Sequence, residues 1–400
     1  MLEGQVHPDF AGVAKVLRKI IPKKGPGGAA VCVYHHGQKV VDAWGGTKDP
    51  EGTPWEEDTL SISFSTTKGV ASTLLHVCAD RGLVDYDAPV ADVWPEFGQA
   101  GKHAITIRQL MCHEAGLHSA EFLERPDDML DWELATHRLA ESEPRYEPGT
   151  AHGYHALTYG WLVGEVARRL LGGKPFAELI ERELARPLGL DGLFCGAPDS
   201  EHHRVAKLMS PLMAGSDEEK LQRFDKINAG AQRWGRRLRR VGIKFDPTEA
   251  MRALSPRGMA LLDMNSPEFR AASVPAANGL FTARSLARLY ACLAGGGELD
   301  GVRLVSGETV GLMGDVQNRG AGKVIPIPMN WRMGYHRVFT TRGGVPRGFG
   351  HFGFGGSGGW ADPERNLAVA LTVNSGLGTP FGDARIARVG GAAVRCADQR

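Results

Sequence analysis

The chain has no apolar run long enough to cross a bilayer, which excludes an α-helical integral membrane protein. It carries no excess of either charge: 47 Lys and Arg stand against 46 Asp and Glu, a net charge of +1. Nothing global therefore points to nucleic acid or to an anionic membrane as partner. Cysteine is scarce, and Cys32, Cys78, Cys112, Cys195, Cys292 and Cys396 are scattered. They form no C-x-x-C pair and no metal-ligand spacing, so neither a structural disulfide nor a metal site is implied. The opening Met1-Leu2-Glu3-Gly4-Gln5-Val6-His7 lacks the basic-then-apolar pattern of a secretory signal, which predicts a cytoplasmic location. There is no internal repeat and no disordered tract. What remains is ordinary for a globular protein: 400 residues, 42% of them apolar and 23% charged, enough to bury a large core in one domain or two.

The stretch richest in chemistry is Ser63-Phe64-Ser65-Thr66-Thr67-Lys68-Gly69-Val70. Val70, Leu74, Val77 and Cys78 succeed it at helical spacing, with Ala71 and Leu75 widening the apolar face, so an amphipathic helix runs on to about Arg81. Ser65 then sits near a helix N-terminus, with Lys68 on the same face one turn on. A serine hydroxyl needs a neighbour to take its proton. A lysine serves only if its pKa falls, and burial and the positive end of the helix both push that way. A lone S-x-x-K is more often a cap preceding an exposed lysine. The catalytic reading therefore needs partner motifs later in the chain.

Along the chain, Phe10 to Ile20 reads as a helix, and Ala29 to Tyr34 with Gln38 to Trp44 as a hairpin about His36-Gly37. Ile105 to Leu117 reads as a short helix capped by Thr106 and closed at Gly116. His113 and His118 lie at its end, with no carboxylate at matched spacing, and read as ordinary helix-end histidines rather than metal ligands. The turn Arg145 to Thr150 leads through Gly153-Tyr154-His155-Ala156 into a helix from Leu157 to Leu171. Tyr154 is there either a packing residue or a proton relay beside Ser65. For the second role its pKa near 10 must fall, and a lysine ammonium would lower it. Residues 199–254 read as irregular, and the basic run Arg233 to Arg240 as a solvated helix face or lid. Thr282 caps a helix ended at Gly295-Gly296-Gly297. The end is strand-rich, with Gly350 to Phe354, then Asn366 to Asn374, and a last helix from Asp383 to Arg395. Gly355-Gly356-Ser357-Gly358-Gly359 matches a nucleophile elbow, but a strand comes after the serine and no histidine occurs after His351. It reads as a tight turn.

Ser65-Thr66-Thr67-Lys68, Tyr154-His155-Ala156 and His351-Phe352-Gly353 stand in the order of S-x-x-K, Y-x-N and K-T-G. The set resembles the serine β-lactamase and penicillin-binding-protein superfamily. Flanking text, including Glu147-Pro148-Gly149-Thr150 and Asn278 to Arg288, resembles its class C branch and the family VIII carboxylesterases that share that fold. The resemblance implies an α+β, β-lactamase-like fold, an antiparallel sheet with flanking helices and an inserted, mostly helical domain. Residues 1–64 and 275–400 would form the sheet domain, and 65–274 the helical one, with a lid-like insertion at about 199–254. It also implies Ser65 as nucleophile, Lys68 and Tyr154 as handlers of its proton, and an oxyanion hole from the backbone N–H groups of Ser65 and Phe354. Ala156, His351, Phe352 and Gly353 would contact substrate. No cofactor and no metal are implied.

The departures matter. Ala156 removes a side-chain amide, His351 replaces a lysine, and Phe352 adds a ring. These changes favour neutral, apolar esters over β-lactams, although a protonated His351 would partly stand in for the lysine. The expected activity is hydrolysis of short-chain or small neutral esters through an acyl-enzyme, with a small-molecule ester as substrate, no nucleic acid as partner and the oligomeric state left open by the sequence. A β-lactamase, an acyltransferase, or a non-catalytic penicillin-recognising module of the same fold remains the alternative.

Overall fold

The computed structural model describes residues 2–210, 214–240, 245–376 and 383–400. Its centre is an antiparallel sheet of seven strands drawn from both chain ends. β1 (Glu3–Val6), β2 (Gly28–His35) and β3 (Gln38–Gly46) come from the start. β4 (His336–Thr340), β5 (Gly343–Phe352), β6 (Gly358–Asp362) and β7 (Leu367–Val373) come from the end. The order across the sheet is β1-β3-β2-β7-β6-β5-β4. β2 and β7 join the two halves, pairing Val33 with Val369 and Val31 with Leu371. The β2–β3 turn puts both central residues at positive φ, His36 at 50° and Gly37 at 72°, a twist that matches the hairpin.

Both inner strands are buried on both faces, which explains their nearly continuous apolar text. Alternate residues serve different layers. Ala29, Val31 and Val33 pack with α1 (Ala11–Ile20) and α8 (Ala384–Asp398) through Phe10, Val13, Leu17, Ile386 and Val389. Ala30, Cys32 and Tyr34 face the larger core that holds α2 (Thr66–Asp80) and α7 (Ala283–Ala294). All six cysteines are free and buried.

α2 is not the one-sided helix its spacing suggested. Every residue from Thr66 to Cys78 is buried, because α2 runs between β5 and a further helix, α4 (Thr158–Leu170). Its polar side chains are bonded inside: Ser72 donates to the Gly334 carbonyl and meets Tyr159, and Thr73 meets Tyr335. A helix buried all round needs no stripe.

Two other expectations change. The helix α3 (Ile107–Met111) keeps its Thr106 cap, completed as a box by Gln109, but it ends before Gly116. His113 takes the left-handed turn that ends the helix, at φ 62°, and Gly116, at φ 74°, turns the loop beyond it. The His113 carbonyl then accepts from the Tyr146 hydroxyl and the Gly153 N–H, and these bonds hold that conformation. The 199–254 stretch is not irregular throughout, since it contains α5 (Asp217–Arg240) and α6 (Pro247–Leu254). Its exposed, charge-dense text hid the helical period. The basic run lies on the exposed side of α5.

Candidate active site

The chain enters the site from a short strand, Ser61–Ile62, that pairs with Leu280–Phe281. Phe64 then adopts φ 45°, a strained conformation for a bulky residue. Thr67 braces it, donating from Oγ1 to the Phe64 carbonyl at 2.6 Å and accepting from the Gly279 N–H at 2.9 Å. The kink sets Ser65, half-exposed, at the head of α2 while the rest of the helix stays buried.

Two side chains converge on its hydroxyl. Lys68 Nζ lies 3.0 Å from Ser65 Oγ and donates to the Ala276 carbonyl at 3.1 Å. The Tyr154 phenol donates to the same Oγ at 2.8 Å. Lys68 is fully buried, and that burial holds its pKa well below the usual lysine value. That burial is the cause the sequence reading required. A neutral amine has a lone pair free for the Ser65 proton.

Tyr154 differs from expectation. Burial pushes its phenol upward, against a smaller lowering from the Ser65 bond. At rest it is a protonated donor. Its ring stacks on Trp331 at 5.3 Å and 11°, with His113 edge-on at 5.2 Å. Tyr146 and Tyr159, the other phenols nearby in sequence, are bonded to the His113 carbonyl and Ser72.

The third motif borders the site at the end of β5. Gly353 lies so close to the Ser63 carbonyl that a Cβ would approach it to 2.3 Å, so only glycine fits. The turn after it brings the Phe354 ring against Phe64 at 5.8 Å. His351 is buried beside His336, Tyr154 and Trp331, and burial drives its pKa well below the usual histidine value. It is a neutral ring, not a stand-in for a lysine. Phe352 points to the other side of the sheet, where its ring meets Phe339 and the second core, with His336 at the strand edge touching both its ring and that of His351. Strand alternation sends the added ring away from the face that His351 occupies. Ser357 is buried in the turn, its Oγ accepting from the Val373 N–H.

Ala156 stands in an apolar cluster with Tyr154, Ala253, Val324, Ile325 and Trp331. Ala253 comes from α6, so the 199–254 stretch does reach the site. Glu249 of α6 reaches His118 Nε2 at 2.7 Å and Arg145 at 3.0 Å. His113 Nδ1 accepts from the His155 N–H, and His155 Nε2 from the Leu117 N–H. Burial lowers both rings, His155 to about 3. Among the described residues, no group of three or more His, Cys, Asp or Glu is arranged to hold a metal.

Sequence reasoning missed Trp331, Ala276, Ala253 and His336. His336 closes the edge of β5, accepting from the Phe352 N–H at 2.9 Å. The dense Trp331-Arg332-Met333-Gly334-Tyr335-His336 text was the available signal. Ala276 acts through a carbonyl, which no side-chain pattern reveals.

The beta-lactamase family description matches residues 13–393. The chain belongs to that family. Within the beta-lactamase family it is similar to the esterase/beta-lactamase LipL of Mycobacterium tuberculosis (strain ATCC 25618 / H37Rv). The two are 40% identical over 379 residues, 93% of this chain and 82% of that relative. Among solved structures it is similar to a family VIII carboxylesterase, with TM-score 0.83 and 34% identity over 99% of this chain and 100% of that one. A penicillin-binding-protein homolog from Caulobacter crescentus gives TM-score 0.84 and 34% identity over the same shares. The architecture is thus the beta-lactamase-like one, and among the described residues no helix is long and apolar enough to cross a membrane.

Proposed function

We propose that the chain is a carboxylesterase that cleaves small, neutral esters through an acyl-enzyme on Ser65. The observation that carries the reading is Ser65 Oγ held at 3.0 Å from the Lys68 amine and 2.8 Å from the Tyr154 phenol. Lys68 takes the serine proton as Oγ bonds to the ester carbonyl carbon. The carbonyl oxygen becomes an oxyanion that the Ser65 and Phe354 N–H groups stabilise. As the oxyanion collapses, the bond to the alkoxide breaks and Tyr154 gives that oxygen its proton. The new Lys68 ammonium lowers the phenol's pKa at this stage and restores the proton. Water then repeats the sequence on the acyl-enzyme.

Substrate preference rests on positions 156 and 351. A β-lactam brings an amide and a carboxylate, whereas these positions hold a methyl group in an apolar cluster and a neutral imidazole. An apolar acyl ester asks for neither partner. The relatives named as esterases support the same reading.

The test is kcat/KM across chromogenic esters of rising acyl length beside a chromogenic cephalosporin, with mass spectrometry of the trapped acyl-enzyme. Efficient short-ester turnover, a Ser65 adduct and loss of both in Ser65→Ala are expected, with Ser357→Ala retaining activity. Cephalosporin turnover equal to ester turnover would favour a β-lactamase. A stoichiometric burst without turnover would favour a penicillin-recognising module.

A further inference from the structure

The net charge of +1 hides a strong local asymmetry on α5. From Asp225 to Arg240 the helix carries six cations, Lys226, Arg233, Arg236, Arg237, Arg239 and Arg240, against the single carboxylate of Asp225. Arg239 pairs with Asp246. Lys226, Arg233, Arg236, Arg237 and Arg240 have no carboxylate partner among the described residues.

The helix also exposes large apolar groups. Phe224, Ala231, Gly235 and Leu238 turn inward, where α5 packs on α6 and on Arg257–Leu261. Ile227 and Trp234 do not join them, being 47% and 59% exposed. They are two of the four large hydrophobic residues so exposed among the described residues. Seven residues is two helical turns, so the two share one face, and Gly230 between them leaves the path open. Arg237, Lys226 and Arg233 come next around the wheel, and the Arg237 guanidinium lies 6.0 Å over the Trp234 ring.

An aliphatic residue and a tryptophan beside a row of arginines match the interface between acyl chains and anionic headgroups. A phosphodiester backbone would use the cations and leave Ile227 without a partner. A protein groove would use the apolar pair and leave most of the cations in water.

We propose that the outer face of α5 docks the protein on anionic lipid bilayers, with Trp234 and Ile227 entering the headgroup boundary and Arg233 and Arg237 meeting lipid phosphates. The consequence for chemistry, which rests on the esterase reading, is spatial. α6 packs on the inner side of α5 and supplies Ala253 to the apolar cluster around Tyr154, so docking brings that wall of the site to about one helix thickness, roughly 10 Å, from the membrane surface. Esters that partition into the bilayer would then be its natural substrates.

The experiment is co-sedimentation of the full chain with phosphatidylcholine vesicles, with and without phosphatidylglycerol, at low and high salt. Binding only to phosphatidylglycerol vesicles is expected, weakening about tenfold or more at high salt as screening shortens the electrostatic reach. Arg233→Glu with Arg237→Glu should weaken binding on the order of a hundredfold. Ile227→Ala with Trp234→Ala should weaken it roughly tenfold. Both variants should keep wild-type turnover of a water-soluble ester, which shows that they fold. Ser65→Ala should bind vesicles like wild type, so failure of the esterase reading leaves the docking result standing. No binding to anionic vesicles, equal binding to neutral ones, or binding indifferent to both variants overturns the proposal. So does tighter binding to duplex DNA, or a concentration-dependent dimer that the same variants abolish.

Discussion

The indole of Trp331 lies 5.3 Å from the phenol of Tyr154 and 11° from parallel to it. The stack aims the hydroxyl at Ser65 and separates positioning from chemistry. Tyr154→Phe keeps the ring in the stack and removes only the proton donor. Its kcat should fall by about two orders of magnitude, the scale of lost acid–base catalysis, with little change in Tm. Trp331→Ala empties a buried site and should cost about 3–5 kcal/mol. Steady-state kinetics beside thermal melts separates the two. Wild-type kcat in Tyr154→Phe would leave Tyr154 a packing residue.

Lys68 supplies a pH signature. Burial depresses its folded-state pKa, so between that value and the unfolded one, near 10.4, the unfolded chain binds more protons than the folded one. Stability therefore rises with pH between the depressed folded value and the unfolded one. Activity should fall on the acid side as the amine is protonated. Lys68→Met should be inactive, melt no lower than wild type at pH 7, and lose that rise of stability with pH. A markedly lower Tm would mean that the lysine is held charged.

Restoring the missing lactam contacts should fail. An asparagine at 156 would put an amide among Ala253, Val324, Ile325 and Trp331, at a cost of about 1–3 kcal/mol if unpaired. A lysine at 351 would meet the burial that neutralises His351. Ala156→Asn with His351→Lys should lower Tm and leave cephalosporin kcat/KM within roughly tenfold of wild type. A gain beyond about a hundredfold, measured with a chromogenic cephalosporin, would show that the two positions alone set the preference.

Glu249 should hold α6 against the site. The bond to His118 comes first, with Arg145 adding to it, and together they bring the Glu249 carboxyl well below the usual glutamate range. The stability this gives is present above the unfolded value near 4.3 and is lost as pH falls through the lowered folded value. Glu249→Gln should cost about 1.5–3 kcal/mol near neutral pH and less in acid. KM for esters should rise, because the Ala253 wall loosens. Chemical denaturation at two pH values reads the first effect, and ester kinetics the second.

The elements set by local chemistry were legible in the chain. The His36-Gly37 turn, the Thr106 and Thr282 caps and the Leu367–Val373 strand arise from φ preferences, hydroxyl acceptors and apolar runs that act within a few residues. The order of the three motifs likewise carried the family, and the spacing of Ser65 and Lys68 put them on one turn. Only the tertiary structure decided their protonation. That the Lys68 and His351 pKa values fall while the Tyr154 phenol stays a donor depends on burial, and burial is a property of neighbours distant in sequence. The same reason separates Phe352, turned to the far layer, from Ala156, sealed by α6. Desolvation and packing sum over everything that surrounds a group, and a sequence lists only what stands on either side of it.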